Sequence, residues 1–217
     1  MLIALGQLMP VIIGITGGTG SGKTILARSI AERYAHLGVA LVDQDSYYRD
    51  QRHLSLPERE SVNYDEPSAI DHDLLLEHLR ELREGRPVVK PQYCFASHTR
   101  SGQGESVAPK PIIVVEGLFA LWQPRIRSLM ALKIFVEADA DIRFIRRLQR
   151  DVLERGRSVQ SVVEQYLQTV RPMHQLYVEP TKADADLVVD SPEDNRELHW
   201  AEPVFKRLAE MLEREAT

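Results

Sequence analysis

The sequence predicts an α/β fold with a mostly parallel sheet of five strands flanked by helices. Short apolar runs rich in valine and isoleucine alternate with longer segments whose apolar residues recur at helical spacing. The first apolar run, residues 11–16, leads into a glycine-rich stretch that is followed by one of these helical segments. Strands that alternate with helices in this way usually lie parallel in one sheet, with their carboxyl ends along one edge.

The N-terminal elements are predicted as strand, helix and strand. Residues 11–16 and 39–42 are short apolar runs of the kind found in buried strands. Residues 25–34 between them have the spacing of a helix, and Gly38 ends that segment because glycine readily adopts the left-handed conformation found after helix C-termini.

A loop and a second helix are predicted next. Residues 49–67 are polar and contain proline, which predicts a loop with room for a turn of helix. Ser68 or Asp71 can cap the helix that follows, and Gly85 ends it. The apolar stripe of this helix is expected to consist of Leu74, Leu75, Leu79 and Leu82.

The chain changes character at residues 86–110, where prolines separate short extended pieces. This pattern predicts a small antiparallel β insertion that stands off the main sheet. The remaining strands are predicted at residues 112–115, 132–136 and 187–189, and the remaining helices at residues 140–154, from near Ser158, and at residues 195–213.

Composition limits the classes of function. The 217 residues suit a single domain, and a net charge of −5 gives no basic field for nucleic acid. One cysteine, Cys94, excludes an internal disulfide and fits a reducing compartment. No apolar run approaches the ~20 residues that span a membrane. Because Met9 precedes the first strand, residues 1–8 are expected to be a start-site artefact or a disordered tail.

A phosphate-binding pattern lies between the first strand and the first helix. It is formed by Gly17, Gly18, Thr19, Gly20, Ser21, Gly22, Lys23 and Thr24. Glycines let backbone N–H groups converge on a polyanion, and the following helix directs its N-terminus at the same phosphates. Lys23 can reach the β- and γ-phosphates, and the Thr24 hydroxyl can bind Mg²⁺. The pattern therefore predicts a nucleoside triphosphate site.

Acidic residues follow two other predicted strands. Glu116 closes residues 112–115, at the position where a second Mg²⁺ partner is expected beside such a loop. Asp43 and Asp45 follow residues 39–42. Transfer to a hydroxyl needs a carboxylate within hydrogen-bonding reach of its proton, and position alone leaves both aspartates as candidates for this base.

An arginine-rich segment comes after the fourth predicted strand. Its members are Arg143, Arg146, Arg147, Arg150, Arg155 and Arg157. A solvated basic helix face is the simplest interpretation of such spacing. The cluster also leads into a loop that contains Gly156, which favours a mobile lid at about residues 150–160 whose Arg150, Arg155 and Arg157 donate to the transferring phosphoryl group.

The predicted insertion carries Tyr93, Phe95 and His98. These side chains could form a small satellite core, or they could stack on a base and read its edge. Residue types alone do not distinguish the two.

Taken together, these stretches resemble the uridine–cytidine kinase family, within the wider group that includes phosphoribulokinase. The resemblance covers about residues 11–190. Its motifs are GGTGSGKT at residues 17–24, QDSYY at 44–48, NYDEPSAID at 63–71, YCFASHTR at 93–100, EGLFAL at 116–121, and two longer stretches at 135–158 and 165–182.

The resemblance implies a P-loop kinase fold and a set of site residues. Asp45 corresponds to the base that accepts the 5′-hydroxyl proton, and Lys23, Arg150, Arg155 and Arg157 to the other catalytic groups. Asp65 corresponds to the carboxylate that accepts hydrogen bonds from the ribose hydroxyls. The other substrate-binding positions are Tyr48, Tyr64, Tyr93, Phe95, His98, Arg147 and Gln165, and the Mg²⁺ partners are Thr24 and Glu116.

The implied activity is transfer of the ATP γ-phosphoryl group, with Mg²⁺, to the 5′-hydroxyl of uridine or cytidine. The implied protein is cytoplasmic and homo-oligomeric, a tetramer or a dimer, and binds neither nucleic acid nor membrane. Two alternatives remain at this point: a related kinase that acts on another sugar hydroxyl, and a non-catalytic nucleotide-binding protein. Tyr93, Phe95 and His98 count against the first, and the presence of Lys23 and Asp45 against the second.

Overall fold

The computed structural model describes residues 9–194 and 197–215. Within them the strands are β1 (Val11–Gly17), β2 (Val39–Asp43), β3 (Val88–Lys90), β4 (Tyr93–Cys94), β5 (Thr99–Arg100), β6 (Glu105–Val107), β7 (Ile112–Glu116), β8 (Leu132–Glu137) and β9 (Leu187–Asp190). The α-helices are α1 (Lys23–Arg33), α2 (Leu56–Ser61), α3 (His72–Arg83), α4 (Pro124–Arg127), α5 (Ala140–Leu153), α6 (Val159–Gln165), α7 (Arg171–Met173) and α8 (Glu202–Glu215).

The predicted sheet of five strands is confirmed, and all of its pairings are parallel. Its order is β2-β7-β1-β8-β9, so β1 lies at the centre with the phosphate-binding pattern directly after it. The register places Glu116 opposite both Ile15 and Asp43. The carboxyl ends of β1, β2 and β7 are therefore level and adjacent, as the sequence predicted.

Alternation of side chains along the buried strands supplies two cores, one on each face of the sheet. On one face Ile113 and Val115 of β7 pack with the buried leucines of α3. On the other face Ile112 and Val114 pack with α1 and α8. Strands that are apolar on both faces are expected where helices cover both sides of a parallel sheet.

Helix α3 is capped by Asp71, whose Oδ1 accepts a hydrogen bond from the Leu74 backbone N–H at 3.3 Å. The predicted apolar stripe is nearly right. Leu75, Leu79 and Leu82 are buried, whereas Leu76 takes the inner place that was assigned to Leu74, which is half-buried.

The insertion at residues 86–110 is antiparallel, as predicted. It consists of two pairs, β3 with β6 and β4 with β5. Arg100 on β5 ties it to the turn after β2, because its guanidinium donates to the backbone carbonyl oxygens of Tyr48 at 2.8 Å and Tyr47 at 3.1 Å.

The C-terminal helical region differs from the prediction in two places. After α6 the chain continues through π-helical turns at Tyr166–Val170 and His174–Val178 and a 3₁₀ segment at Glu179–Asp184. The last helix begins at Glu202, after a 3₁₀ turn at Leu198–Ala201, and not near Asn195, which lies outside the described residues. Pro203 explains the later start, because proline is tolerated in the first turn of a helix and disrupts its interior.

The expected tail at residues 1–8 also lies outside the described residues. In the part of the chain that the structure describes, none of the helices has the length and apolar character needed to cross a membrane.

Candidate active site

A large cleft opens along the carboxyl edge of the sheet, with a volume of about 2290 Å³. Sites for a single small ligand usually occupy about 300–1,000 Å³, so this cleft has room for two substrates side by side. Every predicted site residue lines it except Gly17, Gly18 and Ser21, which lie in the phosphate-binding loop beneath.

The loop adopts a conformation that requires glycine. Gly17, Gly20 and Gly22 have φ angles of 151°, 78° and 100°, which L-residues rarely adopt. A Cβ atom would lie 2.3 Å from the carbonyl oxygen of Val136 at Gly17, and 2.4 Å from that of Arg143 at Gly20. Helix α1 then starts at Lys23 with no side-chain cap at Gly22, which leaves the N–H groups of its first turn for a bound anion.

Lys23, Thr24 and Glu116 meet where the loop enters α1. The Thr24 hydroxyl donates to Glu116 Oε1 at 2.9 Å. Within the described part of the chain, the one hydrogen bond of the Lys23 ammonium is a long one of 3.5 Å to the Gly18 carbonyl oxygen. Burial lowers the pKa of Lys23, while the carboxylates of Glu116 and Asp45 act in the opposite direction. Burial raises the pKa of Glu116. The Lys23 ammonium is thus weakly held and available to an incoming anion.

Asp43 and Asp45, the two candidate bases, have different surroundings. The Asp43 carboxylate caps the 3₁₀ turn Gln44–Tyr47 by accepting from the Ser46 backbone N–H at 3.1 Å, and it pairs with Lys90. Asp45 makes no side-chain hydrogen bond within residues 9–194 and 197–215 and lines the cleft. Burial raises its pKa, against the opposing charges of Lys23 and Arg155.

Aromatic side chains form one wall of the cleft near the insertion. Tyr48 contacts Tyr64 and Tyr93 with ring centroids 5.6 and 5.0 Å apart, and Tyr93 contacts Phe95 at 5.4 Å. The His98 ring stacks on Tyr64 at 4.8 Å with an interplanar angle of 17°. This aromatic wall extends from the turn after β2 to the β4–β5 hairpin.

Burial and the nearby charges of Arg157 and Arg59 lower the pKa of the His98 imidazole, against an opposing effect of Glu60, and so favour its neutral form. A neutral imidazole has one donor and one acceptor nitrogen. His98 also has a positive φ of 52°, which is uncommon for a residue with a side chain.

Asp65 lies deeper in the cleft and is buried. Its Oδ2 accepts hydrogen bonds from Thr169 Oγ1 at 2.9 Å and from Gln165 Nε2 at 3.5 Å. Gln165 in turn accepts from Arg147 at 2.9 Å and from Arg157. A chain of polar contacts therefore links Asp65 to the arginine-rich segment.

The arginines of α5 and of the turn after it divide into two groups. Arg143 and Arg146 bind backbone: Arg143 Nε donates to the Ala138 carbonyl oxygen at 3.0 Å, and Arg146 donates to that of Gly20 at 3.1 Å and to that of Glu193 at 3.1 Å. These two contribute structure behind and beside the phosphate-binding loop.

The second group points into the cleft. Arg147 and Arg150 approach the Thr19 hydroxyl at 3.3 and 3.5 Å. The Arg155 guanidinium lies 4.6 Å above the Phe95 ring, so this part of the predicted lid touches the aromatic wall. The solvated basic face is therefore wrong for Arg143, which is only 8% exposed, and for Arg146, which is bound to backbone. The mobile lid stays a prediction.

Sequence reasoning missed three residues that organise the site. Asp151 contacts arginines of the second group, and Thr169 bonds to Asp65. Arg59 on α2 donates to the Ser97 carbonyl oxygen at 3.0 Å, beside His98. The sequence does place Asp151 among closely spaced arginines, but Glu154 is placed in the same way, so spacing alone does not single out Asp151. No sequence signal marked the other two.

Comparison with known proteins places the chain. The family model that matches residues 12–196 is that of the phosphoribulokinase / uridine kinase family. The chain belongs to this family. Membership in a kinase family implies that it binds ATP.

Individual relatives agree with this placement. The chain is 50% identical to a uridine kinase of Halalkalibacterium halodurans over 187 residues, which are 86% of this chain and 89% of that protein. It is 51% identical to a uridine kinase of Bacillus velezensis over 180 residues, 83% of this chain and 85% of that protein. The solved structure of phosphoribulokinase from Rhodobacter spheroides superposes on this chain with a TM-score of 0.63 and 18% identity. The match covers 84% of this chain and 70% of that protein's chain, which shows a shared fold.

Proposed function

We propose that the protein is a uridine/cytidine kinase, which transfers the γ-phosphoryl group of ATP to the 5′-hydroxyl of a pyrimidine ribonucleoside. The observation that carries the proposal is that one cleft joins a phosphate-binding loop, a free carboxylate at Asp45 and an aromatic wall ending in neutral His98. Relatives about half identical to the chain bear the name uridine kinase.

The triphosphate occupies the loop end of the cleft in this proposal. Backbone N–H groups of the loop and of the start of α1 surround the phosphates, and Lys23 leaves its long contact with Gly18 to bind the β- and γ-phosphates. Arg147 and Arg150, which already reach Thr19, lie close enough to contact the transferring group.

The residues present fit Mg²⁺. Thr24 and Glu116 offer a hydroxyl and a carboxylate oxygen 2.9 Å apart beside the loop, and hard oxygen ligands of this kind suit the ion. In the described ranges, no set of three or more His, Cys, Asp or Glu side chains is arranged to hold a metal. Thr24 and Glu116 would therefore share the ion with phosphates and water. When bound, Mg²⁺ neutralises charge that develops on the phosphate oxygens.

Asp45 is the base of the proposed reaction. The nucleoside 5′-hydroxyl donates its proton to the Asp45 carboxylate while the hydroxyl oxygen bonds to the γ-phosphorus and the bond to the bridging oxygen breaks, which releases ADP. Asp45 then loses the proton to solvent. Because Asp43 is engaged by Ser46 and Lys90, Asp45 is the aspartate of this turn that is free to do this.

The sugar and base fit the other end of the cleft. The buried Asp65 carboxylate can accept hydrogen bonds from the ribose 2′- and 3′-hydroxyls, with Gln165 and Thr169 fixing its orientation. Tyr93 and Phe95 bound the space for the base. Uracil carries an acceptor and cytosine a donor at position 4, and a neutral imidazole at His98 can serve either one by tautomer exchange or ring rotation.

The family resemblance also leads us to propose a cytoplasmic homo-oligomer, either a dimer or a tetramer. Size-exclusion chromatography with light scattering tests the assembly, and a monomer at micromolar concentration would contradict it.

The direct test of function is an ADP-release assay with Mg²⁺ and ATP, in which the product is identified by chromatography. Uridine and cytidine should give the 5′-monophosphates, and purine nucleosides should give none, because the base space is closed by Tyr93 and Phe95. Preference for a phosphorylated sugar without a base would overturn the proposal and favour the related sugar-kinase alternative.

A further inference from the structure

Asp151, near the end of α5, is a fully buried carboxylate surrounded by arginines. It has 0% exposed surface. Its Oδ1 accepts from Arg150 Nε at 2.9 Å and lies 3.6 Å from Arg155 Nη1. Its Oδ2 lies 3.5 Å from Arg147 Nε and 3.7 Å from Arg157 Nη1. The four guanidinium groups of the cleft-facing arginines thus share one anion.

The arrangement does not serve the carboxylate itself well. A buried charge is costly unless it is both paired and hydrogen-bonded. Among the described residues, Asp151 Oδ2 has no hydrogen-bond partner, and its neighbouring guanidinium groups stand at ion-pair distance only. The contacts are therefore better explained by positioning of the arginines than by stabilisation of the helix end.

Each of the four arginines has a second contact that faces the cleft. Arg147 and Arg150 reach Thr19, Arg155 lies over Phe95, and Arg157 donates to Gln165. Four cations at this spacing repel one another. A single anion at their centre offsets the repulsion and fixes the distances between them.

The backbone of Asp151 contributes to the same geometry. Its carbonyl oxygen accepts from the Arg157 N–H at 3.0 Å, across a turn in which Gly156 has a φ of 66°. The turn that carries Arg155 and Arg157 thus folds back on the end of α5, where the Asp151 carboxylate meets both side chains.

We propose that Asp151 is a positioning residue, whose carboxylate gathers Arg147, Arg150, Arg155 and Arg157 into the fixed array that contacts the transferring phosphoryl group. The inference rests on the proposed phosphoryl transfer, although the array requires only the phosphates and not the identity of the acceptor. It assigns a role to a residue that touches no substrate.

The charge balance gives the inference a distinctive signature. Asp151→Asn keeps the shape of the side chain and removes one negative charge from the array, so attraction for polyphosphate does not weaken. Alignment of the guanidinium groups is lost, and misplacement of about 1 Å can cost about 10²-fold in rate. We therefore expect kcat to fall by about 10²-fold, with the KM for ATP unchanged or lower.

The test compares Asp151→Asn, Asp151→Glu and the control Asp141→Asn, which removes an exposed carboxylate from the other end of the same helix, away from the cleft. Asp151→Glu keeps the anion and should recover at least about tenfold of the lost kcat. Asp141→Asn should match wild type. A raised KM for ATP with unchanged kcat, wild-type kinetics in Asp151→Asn, or an equal loss of kcat in Asp151→Glu would each overturn the proposal.

A second measurement needs neither a phosphoryl acceptor nor a variant, so poor folding of a variant does not affect it. In wild type with inorganic tripolyphosphate, NMR should show slow solvent exchange for the Arg150 Nε–H, which donates to Asp151, compared with the exposed Arg80. Exchange as fast as at Arg80 would overturn the inference. If wild type phosphorylates no nucleoside while Arg150 is protected, the proposed function fails and the arginine array stands.

Discussion

Replacing Asp45 and Asp43 by asparagine, one at a time, should separate a defect in activity from a defect in stability. Asp43 ends β2 and Asp45 lies two positions later in the turn that follows. Among the described residues, only Asp43 of the two is held by a side-chain hydrogen bond and an ion pair. Asp45 is expected to take the acceptor proton. Asp45→Asn cannot do so, and kcat should fall by about 10²–10⁴-fold with little change in nucleoside KM.

The loss of stability expected in Asp43→Asn follows from the contacts of Asp43. Asparagine still accepts from the Ser46 N–H, so the cap of the turn survives. The ion pair with Lys90 is lost, and the Lys90 side chain is only 8% exposed, although Glu105 stays 3.2 Å away. Since Asp43 itself is 40% exposed, we expect a loss of about 1–2 kcal/mol in unfolding free energy, or a Tm lower by about 2–8 °C.

The assay is a coupled ADP-release measurement on each variant together with a thermal melt. Asp45→Asn should keep its Tm and lose turnover, and Asp43→Asn should lose Tm and keep most of its turnover at 20 °C. Equal losses of kcat in the two variants would refute the assignment of the base and the structural role given to Asp43.

Five further outcomes are expected. Burial raises the pKa of Asp45, and the base is inactive when it is protonated. The value of kcat/KM should therefore fall as the pH drops through a pKa higher than that of an ordinary aspartate. A pH profile that is flat down to about pH 4 would contradict this. His98→Phe should lower kcat/KM for both pyrimidine nucleosides by an amount equivalent to about 1–3 kcal/mol. His98→Asn should lower it less, because asparagine tolerates the positive φ at this position. Normal turnover of both nucleosides by His98→Phe would exclude base recognition by His98. His98→Asp should retain cytidine better than uridine, since a carboxylate accepts from the amino group and repels the carbonyl oxygen. Asp65→Asn should reduce the ratio of kcat/KM for uridine to kcat/KM for 2′-deoxyuridine in competition assays. An unchanged ratio would show that Asp65 does not bind the ribose hydroxyls. Proteolysis near residues 155–158 should slow when a bisubstrate analogue is bound, and an unaffected rate would argue against a lid.

The sheet could be predicted because its strands are local apolar runs. Residues 112–115 are apolar on both faces, which already indicates burial between two layers. Local apolar patterns did not predict the start of α8 or the π-helical turns after α6. Around Pro172 and Pro180 the chain keeps helical geometry by changing its hydrogen-bond pattern, and tertiary packing decides such changes more than local preference.

The cleft was predictable where function requires a fixed local pattern. The phosphate-binding loop and Glu116 follow strands whose carboxyl ends must meet at one edge. Contacts between distant segments were not. Thr169 reaches Asp65 across 104 positions of sequence, and nothing in either residue type signals the pairing. Asp151 and Glu154 both stand among closely spaced arginines in the sequence, and burial, which spacing does not predict, is what distinguishes Asp151.

The central claim is that one cleft binds ATP beside a pyrimidine ribonucleoside and transfers phosphate to it. The most direct test is the rate of ADP release with a panel of uridine, cytidine, adenosine, guanosine, ribose and ribulose 5-phosphate. The account predicts turnover with uridine and cytidine, and background rates with the other compounds. A higher kcat/KM for either sugar, or for a purine nucleoside, would contradict it.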